Sequence, residues 1–253
     1  MNKFLIFLLF ISYVSSEYCK GGIKVGGKCV CPKQTKLVQG DCVKISERIT
    51  SRIRPCPPGS RRLSDGTCSR LIVRKPVIYL YPEESMDISV QLNIKESKFT
   101  TVYPKFNGKN TWNIHAKPNG DILIKDKTYP YLFWEAESYK SQETNEGFVV
   151  NEENAEKFLE EKLDILGLNE KEKTDFITFW LPVLLRNKLS LCTFQTQKFF
   201  DNYELNITPK PDSMIRVFLT IKKLERPINI REQKLESVER KGFTAVEWGG
   251  SNI

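Results

Sequence analysis

The chain has 253 residues with 39 basic and 31 acidic side chains, a net charge of +8, and is 40% apolar and 28% charged. That balance excludes wholesale disorder, a collagen-like repeat and a polytopic membrane protein, and the length supports about one or two domains around a sizeable core. His115 is the single histidine, which excludes multi-histidine metal sites and makes any histidine-dependent mechanism hang on that position.

At the N-terminus, Lys3 is followed by the apolar run Phe4 to Val14 and then by Ser15-Ser16-Glu17. This is the pattern of a signal peptide, so residues 1–16 are read as a leader cleaved after Ser16 and the mature chain as secreted or extracellular, via the secretory pathway. An uncleaved anchor or a buried N-terminal helix is the other reading of the run. It falls short of the roughly 20 residues a bilayer crossing needs, and no later stretch reaches that length without charges, so no transmembrane segment is expected after cleavage.

Cys19, Cys29, Cys31, Cys42, Cys56 and Cys68 crowd into residues 17–70, which in an exported chain reads as a disulfide framework. Zinc binding by the Cys29-Val30-Cys31 cluster is the rival reading, and no histidine lies nearby to support it. The spacing contains an echo, Cys31-Pro32 to Gly40-Asp41-Cys42 followed by Cys56-Pro57 to Gly66-Thr67-Cys68. The stretch from Gly27 to Cys42 resembles the C-terminal half of an EGF-like module, where C-x-C precedes a hairpin ending G-x-C. The resemblance implies that Cys31 pairs with Cys42 and Cys29 with Cys19, leaving Cys56 with Cys68. Loops this short contribute about 3 kcal/mol each in the chain-entropy picture.

Residues 17–75 hold 14 basic and 4 acidic side chains, against 24 and 27 in residues 76–253. The excess positive charge therefore belongs to the small module, where Arg48, Arg52, Arg54, Arg61, Arg62, Arg70, Arg74 and Lys75 form a basic tract. Such a tract either contacts an anionic partner, here an acidic glycan, lipid head or protein, or simply keeps a linker solvated. It lacks the aromatic interleaving of single-strand binding, and no nucleic-acid partner is expected.

From Leu71 the texture changes to β-branched and aromatic residues, which predicts a body domain over residues 71–253. Strands are expected at Leu71–Pro82, Asp87–Ile94, Phe99–Tyr103, Thr111–Lys117, Asp121–Ile124 and Tyr129–Glu135, with turn signals between them that suggest an antiparallel meander. In Thr111–Lys117 the alternation places His115 on the polar face. Asn151 can cap a helix that stops at Gly167, and Asn169 a second that runs toward Arg186. Phe176 to Leu185 is apolar almost all round, which predicts deep burial, and Pro182 predicts a kink. Strands resume at Leu189–Thr196, Met214–Lys222 and Phe243–Trp248. The expected class is α+β: an antiparallel β-rich sheet or sandwich with an inserted helix pair, preceded by the disulfide-rich module.

Four segments, KPVIYLYPEE (Lys75–Glu84), YPYLFWEA (Tyr129–Ala136), DFITFWLP (Asp175–Pro182) and GFTAVEWGG (Gly242–Gly250), resemble a family of uncharacterised secreted proteins of bacteria and protists. The likeness spans the body from Lys75 to Gly250 and omits the cysteine module. It implies one domain there and no particular activity.

Two strand ends carry the sharpest chemistry: Trp134-Glu135 and Glu247-Trp248. If their strands are neighbours, Glu135 and Glu247 face one cleft as the acid and the nucleophile or base of a glycoside hydrolase, whose carboxyl groups lie about 5 to 9 Å apart. Strict alternation puts each tryptophan on the face opposite its glutamate, so Trp134 and Trp248 reach a sugar only if a bulge re-aims them. The other reading makes the tryptophans core and pairs the glutamates with Lys or Arg. Cys192, odd after six are paired, is a nucleophile with His115 as base, one half of an intermolecular disulfide, or an inert core thiol. Tyr79, Tyr81, Tyr103, Tyr129 and Tyr131 form either a binding face or core filling. Asn206-Ile207-Thr208 is a glycosylation sequon followed by Pro209. With no phosphate loop, nucleophile elbow or metal-spaced acidic loop, no cofactor and no metal are expected.

The reading that follows is a secreted or cell-surface binding protein for a glycan or protein partner. A carbohydrate hydrolase using Glu135 and Glu247, and a structural extracellular protein, are its alternatives.

Overall fold

The computed structural model describes residues 23–25, 28–32, 35–38, 41–44, 56, 60–62, 68–138 and 142–253. The leader, Cys19 and the arginines at 48, 52 and 54 lie outside the described residues. The chain forms two compact units that divide between Pro55 and Cys56. The division lies upstream of the boundary expected near Arg70, because the strand that begins at Cys68 continues unbroken into the body.

Among its described residues the first unit holds two small hairpins. β1 (Ile23–Val25) pairs with β2 (Lys28–Val30), and β3 (Thr35–Val38) with β4 (Asp41–Lys44), both antiparallel. Cys31 and Cys42 are disulfide-bonded, closing the second hairpin as the EGF-like resemblance implied. Cys29 lies in β2. Zinc binding at Cys31 is thereby excluded.

The second unit opens with β5 (Ser60–Arg62), which carries Arg61 and Arg62 and pairs with the start of β6 (Cys68–Tyr81). Cys56, at its beginning, is disulfide-bonded. There follow β7 (Met86–Ile94), β8 (Ser97–Tyr103), β9 (Thr111–Ala116), β10 (Ile122–Ile124), β11 (Lys127–Tyr129), β12 (Leu132–Ser138) and β13 (Phe148–Asn151). Next come α1 (Ala155–Ile165), α2 (Glu170–Asn187), β14 (Leu189–Phe194), α3 (Gln197–Phe200), β15 (Tyr203–Thr208), β16 (Ser213–Lys223) and β17 (Thr244–Asn252). The expected β-rich body with an inserted helix pair is present.

The strands do not form one meander. They sort into a sheet of order β13-β14-β16-β17-β6-β12-β8, with β5 beside β6, and a second of order β11-β10-β9-β7-β15. The predicted strand Tyr129–Glu135 is split, because Pro130 cannot donate to a ladder and the chain changes sheets there, from β11 to β12. Among the described residues all strand pairings are antiparallel except β16 with β17, which run parallel. Their connection, residues 224–243, is the long crossover that a parallel pair requires. Leu235 within it packs on the helix-side core, and Arg240 donates to the Gly167 carbonyl and pairs with Glu172.

Two cores make three layers of these elements. One lies between the helix pair and the larger sheet: Phe158, Leu159 and Leu163 of α1 and Phe176, Trp180 and Leu184 of α2 meet Val77, Tyr79, Val217, Leu219, Val246 and Trp248. The other lies between the sheets, where Ile88, Val90 and Leu92 of β7 and Trp112 and Ile114 of β9 meet Ile78, Leu80, Trp134 and Phe218. The period-two alternation of β7, β9 and β12 is that of strands with one buried face. Strand β17 reads instead as a continuous buried run to Ser251, since it lies inside the sheet with a core on each side.

Helix α2 begins at a capping box: the Asn169 side chain accepts from the Glu172 N–H at 2.9 Å, and the Glu172 carboxylate accepts from the Asn169 N–H at 2.9 Å. Its apolar segment is not buried all round. Phe176, Ile177, Trp180 and Leu184 form the buried stripe while Leu185 is 44% exposed. Pro182 lies on the exposed side, and the helix continues past it to Asn187. Helix α1 starts at Asn154 rather than Asn151, the two asparagines bonding each other's backbone N–H. Gly167, at φ +83°, follows its end, a conformation that favours glycine.

Candidate functional site

Glu247 and Glu135 do not share a cleft. Glu247 points into the core between the sheets, where Arg216, its direct neighbour on β16, reaches Oε2 through Nε at 2.7 Å and Nη2 at 2.6 Å. Trp134 Nε1 donates to Oε1 at 3.0 Å. Arg216 Nη2 also donates to the Tyr203 carbonyl of the facing sheet at 2.7 Å, and its guanidinium lies 4.4 Å from the centre of the Phe200 ring. Carboxylate, guanidinium and indole thus satisfy one another within a buried tie between layers. The cavity beside them is about 10 Å³, too small for a sugar.

Glu135 alternates with Trp134 along β12, so it lies on the helix side of the sheet while Glu247 lies on the other. Trp134 and Trp248 are separated in the same way, one in each core, and both are essentially buried. The register does bulge on both sides of β6, between Phe133 and Ala136 and between Trp248 and Gly250. That bulge does not reunite the pair, so Glu135 and Glu247 lack the facing arrangement that two-carboxylate hydrolysis requires.

What the bulge positions is Lys75. Pro76 sits in an interior strand, where the missing N–H cannot complete a ladder, and proline is accommodated inside sheets at bulges. Lys75 before it takes φ +48°, a left-handed conformation rare outside glycine. Its N–H finds the Glu135 Oε1 at 3.3 Å. On the opposite side Gly249 lets the Pro76 ring approach, since a Cβ there would stand 3.0 Å from its Cγ. Gly250 lets Trp180 lie on the strand, a Cβ there meeting the indole at 2.5 Å. The Lys-Pro, Phe-Trp-Glu, Phe-Trp-Leu-Pro and Trp-Gly-Gly segments therefore converge on one point of the fold.

Beside this point an open cavity of about 400 Å³ is lined by Lys75, Tyr103, Tyr129, Pro130, Tyr131 and Phe133. Tyr103 and Phe133 are cross-strand partners on β8 and β12, and Tyr129 ends β11 of the smaller sheet. The rings of Tyr103 and Tyr129 stand edge to face at 5.7 Å, and Tyr103 is 60% exposed. Tyr131 continues inward to Tyr79, edge to face at 5.6 Å, and Tyr79 stacks with Tyr81 at 6.3 Å. The five tyrosines thus divide. Tyr79, whose hydroxyl donates to Asp175 at 2.8 Å, is core, and burial and then Asp175 push its phenol well above the ordinary range. Tyr103, Tyr129 and Tyr131 face the cavity.

The Cys192 and His115 pairing is also absent. Cys192 is fully buried beneath the helices, where burial raises its thiol pKa well above the ordinary value and leaves little thiolate. His115 lies on the smaller sheet and pairs with Asp87 across strands, Nδ1 to Oδ1 at 2.8 Å. Asn206 is exposed on β15, an edge strand of that sheet, so the sequon is accessible. Among the described residues no group of three or more metal-ligating side chains is present, and no helix is long and apolar enough to cross a membrane.

No protein-family model and no solved structure matches the chain. The chain is 45% identical over 64 residues to a protein of Butyrivibrio fibrisolvens described as an uncharacterized protein in the region 3′ of bglA. The match covers 25% of this chain and spans 66% of the length of that relative.

Proposed function

We propose that the protein is a secreted or cell-surface binding protein that takes a glycan in the cleft between Tyr103, Tyr129, Tyr131 and Phe133. The observation that supports this reading is the cleft itself, a concave aromatic surface of ligand size with an exposed tyrosine at its mouth. A tyrosine presents an apolar ring face with a hydroxyl at its tip, the complement of a pyranose with its apolar C–H face and hydroxyl rim. Binding without turnover fits the position of the two glutamates, one committed to Arg216 and Trp134 and the other to a backbone N–H.

The test is incubation of residues 17–253 with an array of glycans, reading both bound protein and the mass of each glycan afterwards. Binding without a change of mass is expected, and Tyr103→Ala and Tyr131→Ala should each weaken it about tenfold, equivalent to about 1.4 kcal/mol. A mass change would overturn the reading in favour of an enzyme. Binding undisturbed by both variants would remove the cleft from it.

A further inference from the structure

Resting on that reading of the cleft, we infer that its ligand is an acidic glycan, a hexuronate whose carboxylate sits against the Nζ of Lys75. Among the described residues, Lys173, by contrast, has three carboxylates, at 3.4, 2.6 and 2.9 Å, and Lys95, Lys171 and Lys198 have one each. Lys75 lines the cleft and has no carboxylate within ion-pair distance among them. It is held instead over two rings, 4.9 Å from the centre of Phe179 and 5.8 Å from that of Trp248. Aromatic faces fix an ammonium in place without neutralising it, so the charge stays available to an incoming anion.

The backbone adds an independent observation. Lys75 is the residue with positive φ inside a long interior strand, a conformation that costs on the order of 1–3 kcal/mol and is found where a side chain has been aimed. Glu135, the nearest acid by hydrogen bonding, accepts from the Lys75 backbone and is absent from the lining of the cleft. The cleft thus combines tyrosine faces with a lysine that has no carboxylate within ion-pair distance among the described residues. A hexuronate carries its carboxylate directly on a ring carbon, so a ring stacked on the tyrosines keeps its charge within the cleft. A neutral hexose leaves the ammonium unanswered.

The decisive comparison is a hexauronate oligosaccharide against its methyl ester, identical but for charge, together with a neutral hexose oligomer and a sulfated one. Affinities are measured by calorimetry on residues 17–253 at about 20 mM and about 500 mM salt, where screening differs severalfold in range. The acid should bind at least about tenfold more tightly than the ester at low salt, and the preference should shrink at high salt. Lys75→Asn removes the charge while tolerating positive φ, and should bring the ratio of acid to ester close to one, whereas Lys75→Arg should retain a preference. Equal binding of acid and ester by the unaltered protein overturns the inference and leaves the glycan reading standing. A preference that persists in Lys75→Asn assigns the charge recognition elsewhere, and preference for the sulfated oligomer overturns the carboxylate. If none of the four binds, the cleft reading falls and this inference with it. Should Lys75→Asn fail to fold, Lys75→Gln removes the charge at nearly the same side-chain length, and an acid-to-ester ratio left at the unaltered value overturns the inference.

Discussion

Among the described residues Arg216 is the only cation bonded to Glu247, whose side chain is 4% exposed. Removing one partner of such a pair leaves an uncompensated charge in the interior, whereas replacing both by apolar residues removes the desolvation cost as well. Arg216→Met should therefore lower stability by about 3–5 kcal/mol, and Arg216→Met with Glu247→Leu should recover most of that loss. Urea denaturation of the two single variants and the double closes the cycle, and additive losses would show that the pair is not coupled. The glutamate was visible in the sequence as a chemically sharp residue, and pairing with Lys or Arg was one of its two readings. Arg216 itself was not singled out, because its partner on β17 becomes its neighbour only through the parallel pairing. The alternation of Trp134 and Glu135, by contrast, was legible and correctly separates them onto two faces.

At the scale of elements, the segments with one buried face were readable from their period: β7, β9 and both long helices lie close to their expected spans. What period could not convey was membership, since β8 and β9 look alike in sequence yet belong to different sheets. Short strands such as β13 and β15 were missed, their few apolar residues being indistinguishable from loop. The bulge at Lys75 had a signal in Pro76, and the cleft had one in Pro130, both read only as parts of strands. Glycines at positions 249 and 250 make the bulge testable. A Cβ at Gly250 would stand 2.5 Å from the Leu219 carbonyl and 2.5 Å from the Trp180 indole, neither able to withdraw without moving a strand or the helix. Gly250→Ala should cost about 1–3 kcal/mol or more. Gly249→Ala, facing the Pro76 ring at 3.0 Å, should cost less. A thermal-denaturation series that reverses this order would show that the Trp180 contact does not constrain β17.

The whole molecule divides its chemistry between two compact units. Both hydrophobic cores and the aromatic cleft are built from residues after Pro55, while the arginines at 48, 52 and 54 of the basic tract precede it. Deleting residues 1–55 removes no side chain of the two cores described above, and the unfolding midpoint should stay within about 3 °C of the full mature chain, corresponding to about 1 kcal/mol for a unit of this size. Glycan affinity should likewise change by less than about twofold if the cleft supplies the contacts. A loss of tenfold or more with an unchanged midpoint would instead assign binding energy to the upstream tract. Its signature would be a steeper salt dependence in the longer chain, because every further cation that attracts the ligand adds to the part of the affinity that salt screens. The two contributions to binding are thus separable by one truncation measured at two ionic strengths.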